Sequence, residues 1–209
     1  GSGHDTLYAG AGDDTVTAGS GSDTIYGDAG NDVISGESGN DVINAGAGED
    51  QVSGGHGSDT IRGNTGDDIL AGNNGHDSIF GDSGDDTIDG GAGADTLSGG
   101  SGDDIFISGS GRDDVNGGSG SDTIDYSNLT QSIRVDIHGK QATGGDSDTL
   151  YSVENAIGTD FDDWFRGDKR DNTIESGAGD DYIRGLTGDD TLTGGSGEDT
   201  FFWRSTDVG

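Results

Sequence analysis

An aspartate recurs at every ninth residue over the first part of the chain: Asp5, Asp14, Asp23, Asp32, Asp41, Asp50, Asp59, Asp68, Asp77, Asp86, Asp95, Asp104, Asp113 and Asp122. A single Asp in a Gly-rich turn usually bonds its own local backbone. A regular series asks for more. If alternate nonapeptides stack, carboxylates such as Asp23 and Asp41 stand about 5 Å apart. Two such charges repel by roughly 0.8 kcal/mol in water and about 3 kcal/mol at an effective dielectric near 20, and each has two such neighbours. Within residues 1–125 only Arg62 and Arg112 are basic. The series therefore calls for a cation between stacked units. Carboxylates and Gly-turn carbonyls are hard oxygen donors in an adaptable loop, a set that suits calcium better than octahedral magnesium and far better than zinc.

The elements that would position these carboxylates follow from the rest of the nonapeptide. Counting Asp as the sixth position, the fourth is always Gly, from Gly3 to Gly120, and the eighth is always apolar, from Leu7 and Val16 to Ile124. The Gly-rich half suits a turn, because Gly takes positive φ without penalty. The half that follows Asp suits a three-residue strand with one side chain pointing in and its neighbours out. Two strand-and-turn units make one coil of a solenoid, so fourteen units give about seven coils and a stack roughly 34 Å long.

Composition agrees. Only 26% of residues are hydrophobic, far below the roughly 45–50% of an ordinary globular chain, so no conventional core is expected. One buried apolar side chain per nine residues cannot offset the entropy of ordering nine residues. The metal-free chain should stay largely unfolded. Forty-two acidic against nine basic residues give a formal charge of -33, which sets the chain against nucleic acid. It has no cysteine, so neither a disulfide nor a thiolate zinc site can staple it. No apolar run near eighteen residues marks a membrane span and no signal peptide is visible. The chain reads as a piece of a larger protein.

The period lapses over residues 126–157, a non-repeat spacer. There Ile133, Val135 and Ile137 alternate as in a half-buried strand, and Leu150, Val153 and Ile157 form a looser apolar group. It resumes in degenerate form over 158–202, with Asp163, Asp181, Asp190 and Asp199 in phase and Asn172 in place of one Asp. Residues 203–209 read as a truncated tail. Arg134, Lys140, Arg166, Lys169, Arg170, Arg184 and Arg204 all fall after residue 126, which suggests a spacer followed by a capping block.

The units GGAGADTLS, GGSGDDIFI and GGHGSDTIR resemble the repeats-in-toxin (RTX) calcium-binding nonapeptide, glycine-glycine-x-glycine-x-aspartate-x-apolar-x. The resemblance covers about four fifths of the chain. It implies an all-β fold, a parallel β-roll with two nonapeptides per coil, a spacer and a second short β-roll block. Multiple calcium ions would lie between turns, about twelve of them in the first block. Carried over residue by residue, Asp5, Asp23, Asp41, Asp59, Asp77, Asp95 and Asp113 form one ladder and Asp14, Asp32, Asp50, Asp68, Asp86, Asp104 and Asp122 the other. Asp163, Asp181, Asp190 and Asp199 serve the second block. Turn carbonyls would complete the sites, among them those of Gly27, Ala29, Gly36, Ser38, Gly54, His56, Gly63, Thr65, Gly72, Asn74, Gly81, Ser83, Gly90 and Ala92. The phrase DTLYSVENAIGTDFDDWFRGD is similar to the segment that precedes the final repeats in secreted proteins of this kind. The resemblance further implies secretion of the parent protein through type I machinery, an extracellular or cell-surface location, and folding on meeting calcium outside the cell.

Catalysis within the chain is not indicated. There is no HExxH, and His4, His56, His76 and His138 are isolated, the first three as surface turn residues. The abundant Ser residues lack a base and an orienting acid. The rival reading is a polysaccharide-binding or adhesin module attached to a secreted enzyme such as an alginate epimerase or a serralysin-like protease, with an extracellular polysaccharide as partner. Tyr8, Tyr26 and Phe80 share the ninth position on one face, but Asn44, Arg62 and Ser98 break the row. An ice-binding array is disfavoured because the third and fifth positions vary freely. Trp164, Phe165, Phe201, Phe202 and Trp203 cluster late in the chain, as a cap on the solenoid end or a contact with a neighbouring domain.

Overall fold

The computed structural model describes residues 1–107, 109–144 and 146–204, so most of the 203–209 tail lies outside the described residues. Every regular element among them is a β-strand. No helix there is long and apolar enough to cross a membrane. Alternate strands pair in parallel. Thr6–Ala11 lies against Thr24–Ala29 and then Val42–Ala47, while Thr15–Ser20 lies against Val33–Ser38 and then Gln51–His56. The result is a β-roll with a thirteen-stranded sheet on one side and a ten-stranded sheet on the other. Strands up to Asp125 supply seven two-strand coils.

Most of these strands run six residues rather than the expected three, as in Thr24–Ala29 and Thr60–Thr65. Each continues from the seventh position of one unit to the third of the next. The pairing omits one residue. Tyr8 faces Tyr26 and Gly10 faces Asp28, which leaves out the first position between them. The second position then rejoins the sheet in a left-handed conformation, which non-glycine residues adopt at Asp28, Glu37, Asn64, Asn73 and Asp82 with φ of 73 to 80°. Asn and Asp tolerate that region better than most residues.

The fourth position has no such latitude. Gly57 has φ +127°, and a methyl there would lie 1.8 Å from the Gly39 carbonyl oxygen of the preceding coil. Close backbone approach and positive φ together explain why only Gly occurs there in residues 1–125. The interior is thin. The eighth-position side chains from Ile25 to Ile124 are buried, and Leu7 and Val16 pack partly buried against them in the first coil.

Residues 126–157 stay within the stack. Asn155–Ile157 continues the ten-stranded sheet between Thr123–Asp125 and Thr173–Glu175. In the other sheet Asp146–Tyr151 pairs in parallel with Asp114–Ser119. It is followed spatially by Gln141–Gly144, antiparallel to both its neighbours, and then by Arg134–Asp136, which meets Trp164–Arg166 in parallel. Three strands on one face thus answer one on the other. Ile133, Val135 and Ile137 are buried, as their alternation predicts, with Leu150 and Val153. The inward residue of the last spacer strand is Ala156, not Ile157.

Substituting Gly57→Ala is expected to destabilise the calcium-bound roll by at least about 2 kcal/mol, because strain and a backbone clash coincide. Asp28→Gly, at a second position with φ 75°, is expected to stay within about 1 kcal/mol of the parent chain. Urea unfolding in saturating calcium measures both.

Candidate metal centre

The sixth-position carboxylates form two rows, one for odd and one for even units. Within each row the amide of one Asp donates to the carboxylate of the next coil. Asp23 N–H reaches Asp41 Oδ1 at 2.8 Å and Asp59 N–H reaches Asp77 Oδ1 at 2.7 Å in one row. Asp32 N–H reaches Asp50 Oδ1 at 2.8 Å and Asp68 N–H reaches Asp86 Oδ1 at 2.9 Å in the other. The links run without a break from Asp5 to Asp113 and from Asp14 to Asp122.

That bond engages only one oxygen. The second, Oδ2, is buried and has no hydrogen-bond partner at each row member from Asp23 to Asp122, and again at Asp181. Asp5 and Asp14, in the first coil, are only half-buried. Burial, reinforced by the neighbouring carboxylates and opposed by the amide bond, pushes Asp68 and Asp113 up to about 7. The same causes push Asp59, Asp86 and Asp122 up to about 6. A buried carboxylate oxygen without a donor is costly unless something positive meets it.

In most units the space beside the orphaned oxygen is kept open by a first-position Gly, although Ala18 and Ala45 hold that position in the units of Asp23 and Asp50. A methyl on Gly36 would lie 2.4 Å from Asp41 Oδ2 and 2.7 Å from the Gly54 carbonyl oxygen. On Gly72 it would lie 2.4 Å from Asp77 Oδ2 and 2.7 Å from the Gly90 carbonyl. Carboxylate and carbonyl oxygens thus converge at the position left out of strand pairing. Among the described residues no three His, Cys, Asp or Glu side chains converge on a common point, so a metal here must draw much of its shell from carbonyls. An all-oxygen, carbonyl-rich set of this kind fits calcium.

The two classes of expected carbonyl are placed differently. Those of Gly54, Gly72, Gly81 and Gly90 stand beside orphaned oxygens of the preceding coil. That of Gly63 accepts from Asn64 Nδ2 at 2.8 Å, and Gly27 and Gly36 hold the same first position. The third-position carbonyls of Ala29, Ser38, His56, Thr65, Asn74, Ser83 and Ala92 each accept from a fourth-position Gly amide at 2.7–2.9 Å.

In the second block Asp181 keeps the pattern, accepting from Asp163 N–H at 2.7 Å with its Oδ2 free. Asp190 and Asp199 accept from the amides of Asn172 and Asp181 at 3.0 and 3.2 Å and are half-buried. Asp163 differs. Its oxygens receive Ile133 N–H at 2.8 Å, Thr159 N–H at 2.7 Å and the Thr159 hydroxyl at 3.0 Å. Asn172 accepts from Asp168 N–H and donates to the Glu154 carbonyl, both at 2.8 Å. Arg170 stands at a fourth position, where the first block has Gly. Its guanidinium bonds Glu154 Oε1 through Nη1 and Asp168 Oδ2 through Nε at 3.0 Å. Burial alone would raise the Asp168 carboxyl, but the Arg170 amide and guanidinium outweigh it and hold the group below the usual carboxylate range. The turns of coil 158–175 are therefore closed by side chains.

Asp148 and Glu154 were not among the expected ligands, yet both extend the rows. Asp113 N–H donates to Asp148 Oδ1 at 3.1 Å and Asp122 N–H to Glu154 Oε2 at 3.0 Å. Asp148 Oδ2 also accepts from the Tyr126 hydroxyl at 2.9 Å. A signal for Asp148 was present in Asp148-Thr149-Leu150, the same phrase as Asp95-Thr96-Leu97, but it falls out of nine-residue phase. A second, exposed row was missed as well. Fifth-position side chains accept from the fifth-position amide of the next coil, as Asp67 does from Asp85 at 2.8 Å and the His76 ring from Ala94 at 2.8 Å.

Residues 1–34, 26–61, 53–88, 62–97, 89–124, 157–192 and 177–202 match the family described as RTX calcium-binding nonapeptide repeat (4 copies). No curated protein matches the chain.

Protonation and metal should compete for the rows. The raised carboxyls bind more protons folded than unfolded between about pH 4 and 7, so in chelator the folded state gains stability as pH falls through that window. Circular dichroism in chelator is expected to show β-structure increasing from pH 7.5 to 5.5. The calcium midpoint is expected to rise over the same interval. A metal-free signal indifferent to pH would contradict the burial of these oxygens.

Proposed function

The chain belongs to the RTX calcium-binding nonapeptide-repeat family, and we propose that this calcium-binding module folds when calcium arrives outside the cell and thereby stabilises a larger secreted protein. The observation that carries this reading is the pair of buried carboxylate rows, each member from Asp23 to Asp122 with one oxygen unpartnered, in a roll whose interior is a single file of apolar side chains per sheet. Without cations the rows combine unpaired buried oxygens with like-charge repulsion. With calcium in the gaps, the same oxygens become ligands.

The parent protein would leave the cell unfolded through type I machinery, where low calcium and a charge of -33 both oppose collapse. The module's own partner is calcium, and its work is structural rather than catalytic. A polysaccharide-binding role would draw on exposed aromatic faces. Tyr8, Tyr151, Phe161, Phe201 and Trp203 are exposed, but several rings already have ring partners: Tyr8 lies on Tyr26 at 4.9 Å, Trp164 on Tyr182 at 6.0 Å, and Tyr182 on Phe202 at 5.8 Å. Arg134 covers Trp164 at 3.6 Å. Phe165 is buried in the core, so the late aromatic cluster divides between interior and outer face. These contacts favour bracing of the sheet over sugar stacking.

Far-UV circular dichroism during a calcium titration is expected to show one cooperative coil-to-β transition at sub-millimolar to millimolar calcium, and none with magnesium over the same range. A chain already folded in chelator at neutral pH would sink the proposal.

A further inference from the structure

The family match ends at residue 124 and resumes at 157, yet the even row of carboxylates crosses that interval. Glu154 takes the place of the next Asp, accepting Asp122 N–H through Oε2. Ser152 takes the place of the first-position residue. A methyl on Gly117 would lie 2.1 Å from the Ser152 carbonyl oxygen and 2.3 Å from Asp122 Oδ2. On Gly99, one coil earlier, the same methyl would lie 2.0 Å from Asp104 Oδ2 and 2.8 Å from the Gly117 carbonyl. Ser152 reaches this placement with φ +51°, a region a non-glycine residue seldom occupies. Asp122 is fully buried and its Oδ2, aimed into this space, has no partner. Glu154 is buried too. The spacer is pinned in register by Glu154 N–H and Asn155 N–H, which donate to the Asp122 carbonyl at 3.1 and 2.9 Å, and by Asn155 Nδ2, which donates to Ser121 Oγ at 3.0 Å.

The next gap in the same row is built differently. Glu154 Oε1, its other oxygen, meets the Arg170 guanidinium. The following rung is Asn172, an amide whose nitrogen and oxygen are both bonded, and neither Glu154, Asp168 nor Asn172 has an orphaned buried oxygen. A fixed guanidinium and a neutral side chain do there what elsewhere requires a free cation.

We propose that Asp122, the Ser152 carbonyl and Glu154 form a calcium site outside the nonapeptide repeats, and that Arg170 replaces calcium in the gap between Glu154 and Asn172. This rests on the calcium reading above. Crystals grown in calcium, with diffraction recorded where calcium scatters anomalously, should show a peak between Asp122 and Glu154 and none between Glu154 and Asn172. Peaks in the repeat gaps without one beside Ser152, or with one in the Arg170 gap, overturn this inference and leave the calcium reading standing. No peak at any gap overturns both. In equilibrium dialysis Glu154→Gln should hold one ion fewer per chain. Arg170→Met combined with Asn172→Asp, which restores an ordinary rung, should hold one more. An unchanged count in the first refutes the junction site, and in the second refutes the part given to Arg170.

Discussion

The structure depends on a carboxylate row that is half satisfied. Each interior Asp has one oxygen fixed by the amide of the preceding coil and the other buried without a partner. The amide bond sets the spacing of the coils and places the next carboxylate one strand spacing away, so the contact that builds the stack also brings like charges together. The apolar interior is too thin to override that conflict. Under the proposed function stability is delegated to cations, and the ordinary order of folding, in which a core forms first and sites are added to it, would be reversed.

The turn chemistry serves the same end. The first position is left out of strand pairing and keeps its side chain small, opening room beside the orphaned oxygen. The second and fourth positions carry the left-handed backbone that returns the chain to the sheet. Basic residues are kept away from the rows in the first block. Arg62 pairs with Asp82 at 2.7 Å on the exposed face and covers Phe80 there. Past the spacer the rule changes, and Arg170 enters the row itself.

Much of this was legible in the sequence because a strict period turns a one-dimensional pattern into a stack. The buried file, the two Asp rows and the invariant Gly follow from repetition alone. Three things did not. Strand length was underestimated because Gly at the first and second positions looks like pure turn, although pairing skips only the first and resumes at the second, as Gly10 does with Asp28. Asp148 was hidden because the intervening hairpin shifts it out of phase, and Glu154, nine residues before Asp163, because it is neither an Asp nor preceded by a Gly turn. Asp163 has the right letter in the right phase, yet Thr159 and Ile133 already bond its oxygens. A period reports where a carboxylate stands and not what else reaches it.

The unequal strand count of the two sheets has a consequence for shape. Between Asp114–Ser119 and Trp164–Arg166 one face carries three strands where the other carries the single strand Asn155–Ile157. Two extra spacings of about 4.8 Å lengthen that face by about 10 Å, comparable with the roughly 10 Å that separates packed sheets. Faces of unequal length favour a turn of the solenoid's long axis at the spacer, away from the longer face. The hairpin acts as a wedge, and a domain joined beyond it would be aimed away from the line of the first seven coils.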